Sequence, residues 1–329
     1  MTTNSTESWH NDFVKIDQNS LISDDAYIDF DIFIQTSSKP GKKPVLLFEK
    51  NSNIKNIKSL ISKKKYKSLF IKKENIAAFQ RFVENNIFKI ISNPYLSVED
   101  KSKITYRCSL NVLQDIFINP RSGKNLKRVK NIVNNIIDFI LQKNDSLIHL
   151  LYLGSHDYYT FSHSVNVAVF SIGLRQIINR YNDDDLHEFA LGAILHDIGK
   201  SQIDDNILKK PGKLTEEEFE IIKQHPVYGC QLMEEKLSPL SLDIIMHHHE
   251  KYTGKGYPDG LKGDEISDYA KIVSIADVYD ALTTNRPYAP ARKPFYAVSL
   301  MKDEMANQFE KHKFMEFIRF LGHTSIKVE

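Results

Sequence analysis

The triple histidine in Met246-His247-His248-His249-Glu250 runs into the glycine loop Lys255-Gly256-Tyr257-Pro258 and concentrates metal-ligand side chains in one short stretch. His163, the pair His196-Asp197 and His225 lie upstream of it, and Asp277 lies downstream. Imidazole and carboxylate together suit divalent iron, manganese or zinc. So many such groups within residues 163–277 suggest two ions rather than one, and paired ions are a recurring device for phosphoester hydrolysis. The pair in Leu195-His196-Asp197-Ile198-Gly199-Lys200 follows an apolar run that ends abruptly. Neighbours on a helix point about 100° apart, so both reach one centre only if it sits near a helix end. An aspartate can offer one oxygen to each of two ions, whereas a histidine nitrogen serves one, which makes Asp197 the natural bridge.

The elements that must position these residues are helical. Residues 129–141 carry Val129, Ile132, Val133, Ile136, Ile137 and Ile140 at helical spacing. Helices are expected over 165–178, 186–194, 216–224, 239–246 and 269–283. Thr215 followed by Glu218 offers a capping box for the third of these. The earlier part of the chain reads differently. Strands are expected at 27–34, 45–48 and 68–71, with a turn at 37–44 and a helix over 75–91, and residues 1–25 read as loosely ordered. The fold class is therefore mainly α: a small N-terminal α+β domain over 1–125, regulatory or sensory in character, and a helical bundle over 126–329.

Composition limits the function classes. The chain of 329 residues is 41% hydrophobic and 26% charged, in the range of ordinary globular proteins. Its net charge of +2 conceals an asymmetry: residues 1–128 hold 22 Lys+Arg against 13 Asp+Glu, and the remainder is acidic. The basic run Lys63-Lys64-Lys65-Tyr66-Lys67 reads as a solvated surface, so binding to a nucleic-acid polymer is not expected. Two cysteines, Cys108 and Cys230, provide no disulfide framework, and no segment is long and apolar enough to span a membrane. The start of the chain is polar and unlike a signal peptide, and the expectation is a cytoplasmic protein.

Taken in order, His196-Asp197-Ile198-Gly199-Lys200, Lys210-Pro211-Gly212, His225-Pro226, His248-His249-Glu250, Gly256-Tyr257-Pro258, Ala276-Asp277-Val278-Tyr279-Asp280-Ala281-Leu282-Thr283 and Arg286-Pro287-Tyr288 resemble the HD-GYP family of cyclic-di-GMP phosphodiesterases. The resemblance covers roughly residues 150–325. It implies a helical metal-dependent phosphohydrolase that opens cyclic di-GMP to pGpG, GMP or both by means of a metal-bridging hydroxide. By position it makes His163, His196, Asp197, His225, His248, His249 and Asp277 the metal ligands, with Asp197 bridging. It places Lys200 against the scissile phosphate, and Arg286, Tyr257 and Gly256 among the substrate contacts; Asp280 reads either as a core-lining partner or as a further substrate contact. The Gly-Tyr-Pro loop becomes a pocket rim and a surface for a protein partner, and a homodimer is a further reading.

Three positions depart from the family. Tyr159 stands where three-metal members carry a glutamate, which favours two divalent ions, iron or manganese before zinc. Thr253 stands where an aspartate is usual, and Ala289 where a second basic residue is frequent. These two motivate an alternative reading, a homologue that binds cyclic di-GMP and signals through partners without cleaving it. A phosphodiesterase for another cyclic dinucleotide is the other alternative. His247 is expected to interact with its helix end and not with a metal, and Glu250 to support a ligand histidine.

Overall fold

The computed structural model describes residues 11–21, 27–35, 43–53, 68–142, 144–154, 161–178, 184–284 and 291–325. The expected turn at 37–44 is described only at its end, and the basic run, Tyr159, Arg286, Tyr288 and Ala289 lie outside these residues. The chain divides into two compact units, residues 1–108 and 109–329. The boundary expected from the sequence lies at residue 125. The structural division falls instead inside a helix, α2, Val98–Ile118.

The first unit holds a four-stranded antiparallel sheet in the order β1-β4-β2-β3, with β1 Phe13–Ile16, β2 Ile32–Ile34, β3 Val45–Phe48 and β4 Leu69–Lys72. Phe13, Phe33 and Phe70 cluster on it, the first two rings edge to face at 5.0 Å. Phe30 meets Phe79 and Phe82 of helix α1, Ile76–Ile91. Two expectations change here. Residues 13–16 are a strand and not loose chain, because Phe13 to Ile16 pair residue by residue with Lys72 to Leu69. The expected strand at 27–34 shrinks to Ile32–Ile34, since the Asp31 carboxylate accepts the Lys50 amide at 2.8 Å and breaks the ladder before it.

The second unit is helical: α3 Gly123–Gln142, α4 Asn144–Gly154, α5 Ser162–Ile178, α6 Leu186–Leu195, α7 Asp205–Leu208, α8 Glu216–Ile222, α9 His225–Met233, α10 Pro239–His247, α11 Asp268–Thr283, α12 Pro294–Glu304 and α13 Lys311–Ser325. Helix α3 buries one stripe, Leu126, Val129, Ile132, Val133, Ile136, Ile137 and Ile140, as its spacing requires. Helix α5 is buried nearly all round from Ser162 to Arg175, because α4, α6, α11 and α13 all pack on it. Helix α6 in turn packs on α3, α5 and α10. Among the described residues no helix is long and apolar enough to cross a membrane.

Candidate metal centre

Six of the seven expected ligands sit at helix ends, and the packing of α5, α6 and α10 carries those ends to one place. His163 opens α5, and His196 and Asp197 follow the last turn of α6. His225 begins α9, and His248 and His249 follow α10. Asp277 comes from the middle of α11. The resulting donors form two groups, Asp197 with His225, His248 and His249, and His163 with His196 and Asp277. Within each group the donor atoms lie within 4.8 Å of one another.

Three of the histidines are aimed by the same local device. A helix leaves its last carbonyls without intrahelical partners. The Nδ1 of His196 lies 2.8 Å from the Ala193 carbonyl oxygen, that of His225 2.8 Å from Ile222, and that of His248 2.9 Å from Ile245. Each ring therefore donates to a carbonyl three residues earlier, which leaves its Nε2 as a bare lone pair. The Nε2 atoms of His225 and His248 face each other at 3.2 Å, an arrangement without a proton to share that a cation would relieve. His196 Nε2 and Asp197 Oδ1 are buried with no hydrogen-bond partner. Orphaned donor atoms converging in a buried site of mixed imidazole and carboxylate fit divalent metals.

His163 is aimed differently. Its Nδ1 lies 2.6 Å from Asp280 Oδ2, 117 residues away on α11. Asp280 Oδ1 accepts from Asn166 Nδ2 at 2.9 Å and from the Thr284 hydroxyl at 3.1 Å. The sequence leaves Asp280 open between a core-lining partner and a substrate contact. The structure places it behind His163, 2% exposed, with both oxygens committed. On its other side His163 turns Nε2 to Asp277 Oδ1 at 3.1 Å.

Asp197 presents one oxygen to each group. Its Oδ1 is 3.2 Å from His225 Nε2 and 3.9 Å from His248 Nε2, and its Oδ2 is 3.4 Å from His196 Nε2 and 3.7 Å from His163 Nε2. The Lys200 ammonium, half-buried, donates to the same Oδ2 at 2.6 Å. Gly199 makes this approach feasible: a Cβ there would stand 1.9 Å from the His225 carbonyl oxygen and 2.5 Å from the Gly229 nitrogen.

Charge states follow from these contacts. Burial raises the Asp197 pKa, but Lys200 and His196 outweigh it and hold the carboxyl well below its usual range. Burial likewise opposes ionisation of Asp277, and His163 and His249 reverse it. Burial pushes His249 down to about 3 and lowers His225 and His248, so all three stay neutral and able to ligate. Burial also disfavours charge on His163, yet Asp277 and Asp280 raise it to about 9.

The glycine loop is pinned to the end of α10. Glu250 Oε1 accepts the amides of Asp259 at 2.8 Å and Gly260 at 2.9 Å, while Oε2 is buried without a partner. The backbone of Gly256 runs so close that a Cβ would stand 2.4 Å from Glu250 Cα. Tyr257 lies over His249, ring centroids 4.8 Å apart and 32° between planes. His247 points away from the donors and ties Asp243 at 2.7 Å to Asp259 at 3.1 Å. Thr253 pairs through its backbone with Lys262 and closes the loop.

Residues 159–312 match the HD domain family. A cyclic di-GMP phosphodiesterase of Pseudomonas aeruginosa is 36% identical over 193 residues, 58% of this chain and 46% of the relative. Residues 159–312 thus form an HD domain. A 3′3′-cGAMP-specific phosphodiesterase of Vibrio cholerae is 41% identical to this chain over 150 residues, 45% of the chain and 32% of the relative. The chain thus spans less than half the length of these curated relatives. Among solved structures, Bd1817, an HDG"Y"P protein from Bdellovibrio bacteriovorus, superposes with a TM-score of 0.65 at 21% identity, covering 94% of this chain and all of that one, which shows a shared fold.

Proposed function

We propose that the HD-GYP domain is a metal-dependent phosphodiesterase that opens the phosphodiester ring of cyclic di-GMP to pGpG, GMP or both. The observation that carries this reading is Asp197, whose two oxygens face two separate groups of pre-aimed imidazole and carboxylate donors. Two divalent ions, iron or manganese before zinc, would be held by His225, His248 and His249 on one side and by His163, His196 and Asp277 on the other, with Asp197 between them. Once bound, such ions supply Lewis-acid polarisation of a phosphoryl oxygen and water of lowered pKa.

The chain's own groups do the rest. Lys200 places an ammonium beside the cluster, where it stabilises charge developing on a phosphoryl oxygen. Tyr257 shields the His249 side, and the Glu250-pinned loop forms the rim. The residues before the HD-GYP domain act as a regulatory part, and a partner protein docks at the loop. The similarity to a 3′3′-cGAMP-specific enzyme favours a second substrate reading, the mixed dinucleotide.

Metal-replete full-length protein, prepared without oxygen, is incubated with each cyclic dinucleotide, and products are resolved by chromatography beside bound metal per chain. Product from one dinucleotide with about two ions per chain supports the reading. Metal-replete protein that leaves both dinucleotides intact sinks it in favour of a binding module.

A further inference from the structure

Helix α8 is anomalous for its composition. None of its seven residues is buried, yet it displays Phe219 at 45% exposure and Ile221 at 41%. Burial of an apolar face therefore does not hold it. Polar contacts do: Thr215 and Glu218 form the capping box, and Lys210 reaches both Glu218 oxygens at 2.6 and 2.7 Å. Such a helix can keep an aromatic ring in solvent at a fixed place.

That place adjoins the donor cluster. Lys223 follows α8 and sets its ammonium 5.2 Å from the Phe219 centroid and 6.0 Å from the Tyr257 centroid. Tyr257 in turn covers His249. Phe219, Lys223, Tyr257 and His249 thus form an unbroken series from an exposed ring to a donor of the metal centre. Exposed aromatic rings beside an ammonium suit a flat π-system attached to a phosphate.

We propose that Phe219, flanked by Lys223 and Tyr257, is a stacking site for one purine base of the cyclic dinucleotide. This rests on the phosphodiesterase reading above and adds to it a base contact that no motif of the sequence marks. The phosphodiester enters the donor cluster while the base extends over Tyr257 and Lys223 to lie on Phe219. Lys223 also pairs with Glu220 at 2.5 Å, which keeps its ammonium near both rings.

Stacking on an aromatic side chain contributes about 1–3 kcal/mol per base, or roughly 5- to 150-fold in affinity. Phe219→Ala in the metal-loaded full chain therefore raises KM for cyclic di-GMP by about tenfold or more, with bound metal and inhibition by inorganic phosphate retained. Phe219→Trp keeps the affinity, and its emission, read against that of Trp9, is quenched when the dinucleotide binds. Wild-type binding with no change in KM for Phe219→Ala, or no quenching in Phe219→Trp, overturns the stacking site and leaves the phosphodiesterase reading standing. Equal weakening of phosphate inhibition also overturns it, since phosphate carries no base. If wild type neither binds nor cleaves any cyclic dinucleotide, both readings fall together.

Discussion

The donor cluster aims its histidines by two kinds of physics. His196, His225 and His248 are aimed by carbonyls three residues earlier, at the ends of helices α6, α8 and α10. His163 is aimed by Asp280, a carboxylate from another helix, itself held by Asn166 and Thr284. The first arrangement is local and completes as each helix forms. The second exists only after α5 and α11 have packed. The charge states divide similarly: burial keeps His225 and His248 neutral, whereas Asp277 and Asp280 overcome burial and raise His163 to about 9. A metal binds His225 and His248 without displacing a proton, and must displace one from His163.

Breaking what both sides share has the largest expected effect. Asp197→Asn removes the charge that faces both groups, and turnover should fall at least about a thousandfold, with metal content measured on the same samples. Retained turnover by a metal-loaded variant would sink the assignment. Asp280→Ala attacks one side. Loss of a carboxylate behind a ligating histidine costs about 10- to 100-fold in metal affinity. Titration should show one weakened ion and one near its wild-type affinity, and equal weakening of both would erase the distinction drawn here.

The pH dependence is next in size. The His163 pKa is raised from 6.5 to about 9 in the folded, metal-free protein. Its contribution to stability is fully present below about pH 6.5 and is lost as pH rises through about 9. The sign reverses for metal, which competes with that proton. Affinity on the His163 side should rise up to about tenfold per pH unit until about pH 9, while the other side stays level, as calorimetry in buffers of different ionisation enthalpy would show. Thr284→Ala removes one hydrogen bond to Asp280 and should cost about 0.5–1.5 kcal/mol at most, visible as a small drop in the melting temperature of the metal-free protein.

The two sides were not equally legible in the sequence. Most residues now gathered at the centre could be read from motif spacing, because all but Asp277 stand at helix ends that the apolar periodicity marks well, as at 239–246 against the observed Pro239–His247. Their carbonyl partners carry no side-chain signature and went unread. For Asp280 the sequence leaves a core-lining partner and a substrate contact both open, since nothing local ties it to His163. Helix α2 escaped notice because it buries Lys101, Ser102, Thr105 and Ser109 among its apolar residues, which blurs the stripe. Strand β1 escaped because four residues define a strand only through pairing with β4, far along the chain. Phe219 has no motif at all, and only its exposure and its neighbours distinguish it.

Gly199 and Gly229 let the short turn bearing Asp197 lie directly on the backbone of α9, which begins with His225. Backbone against backbone leaves no side chain that substitution could lengthen or shorten. The gap between these two donors therefore behaves as a fixed ruler and not as an adjustable spacing. A lineage seeking to exchange one ion for a larger or smaller one would have little freedom there, and would find its latitude on the opposite side, where the side chains of Asp280, Asn166 and Thr284 set the spacing.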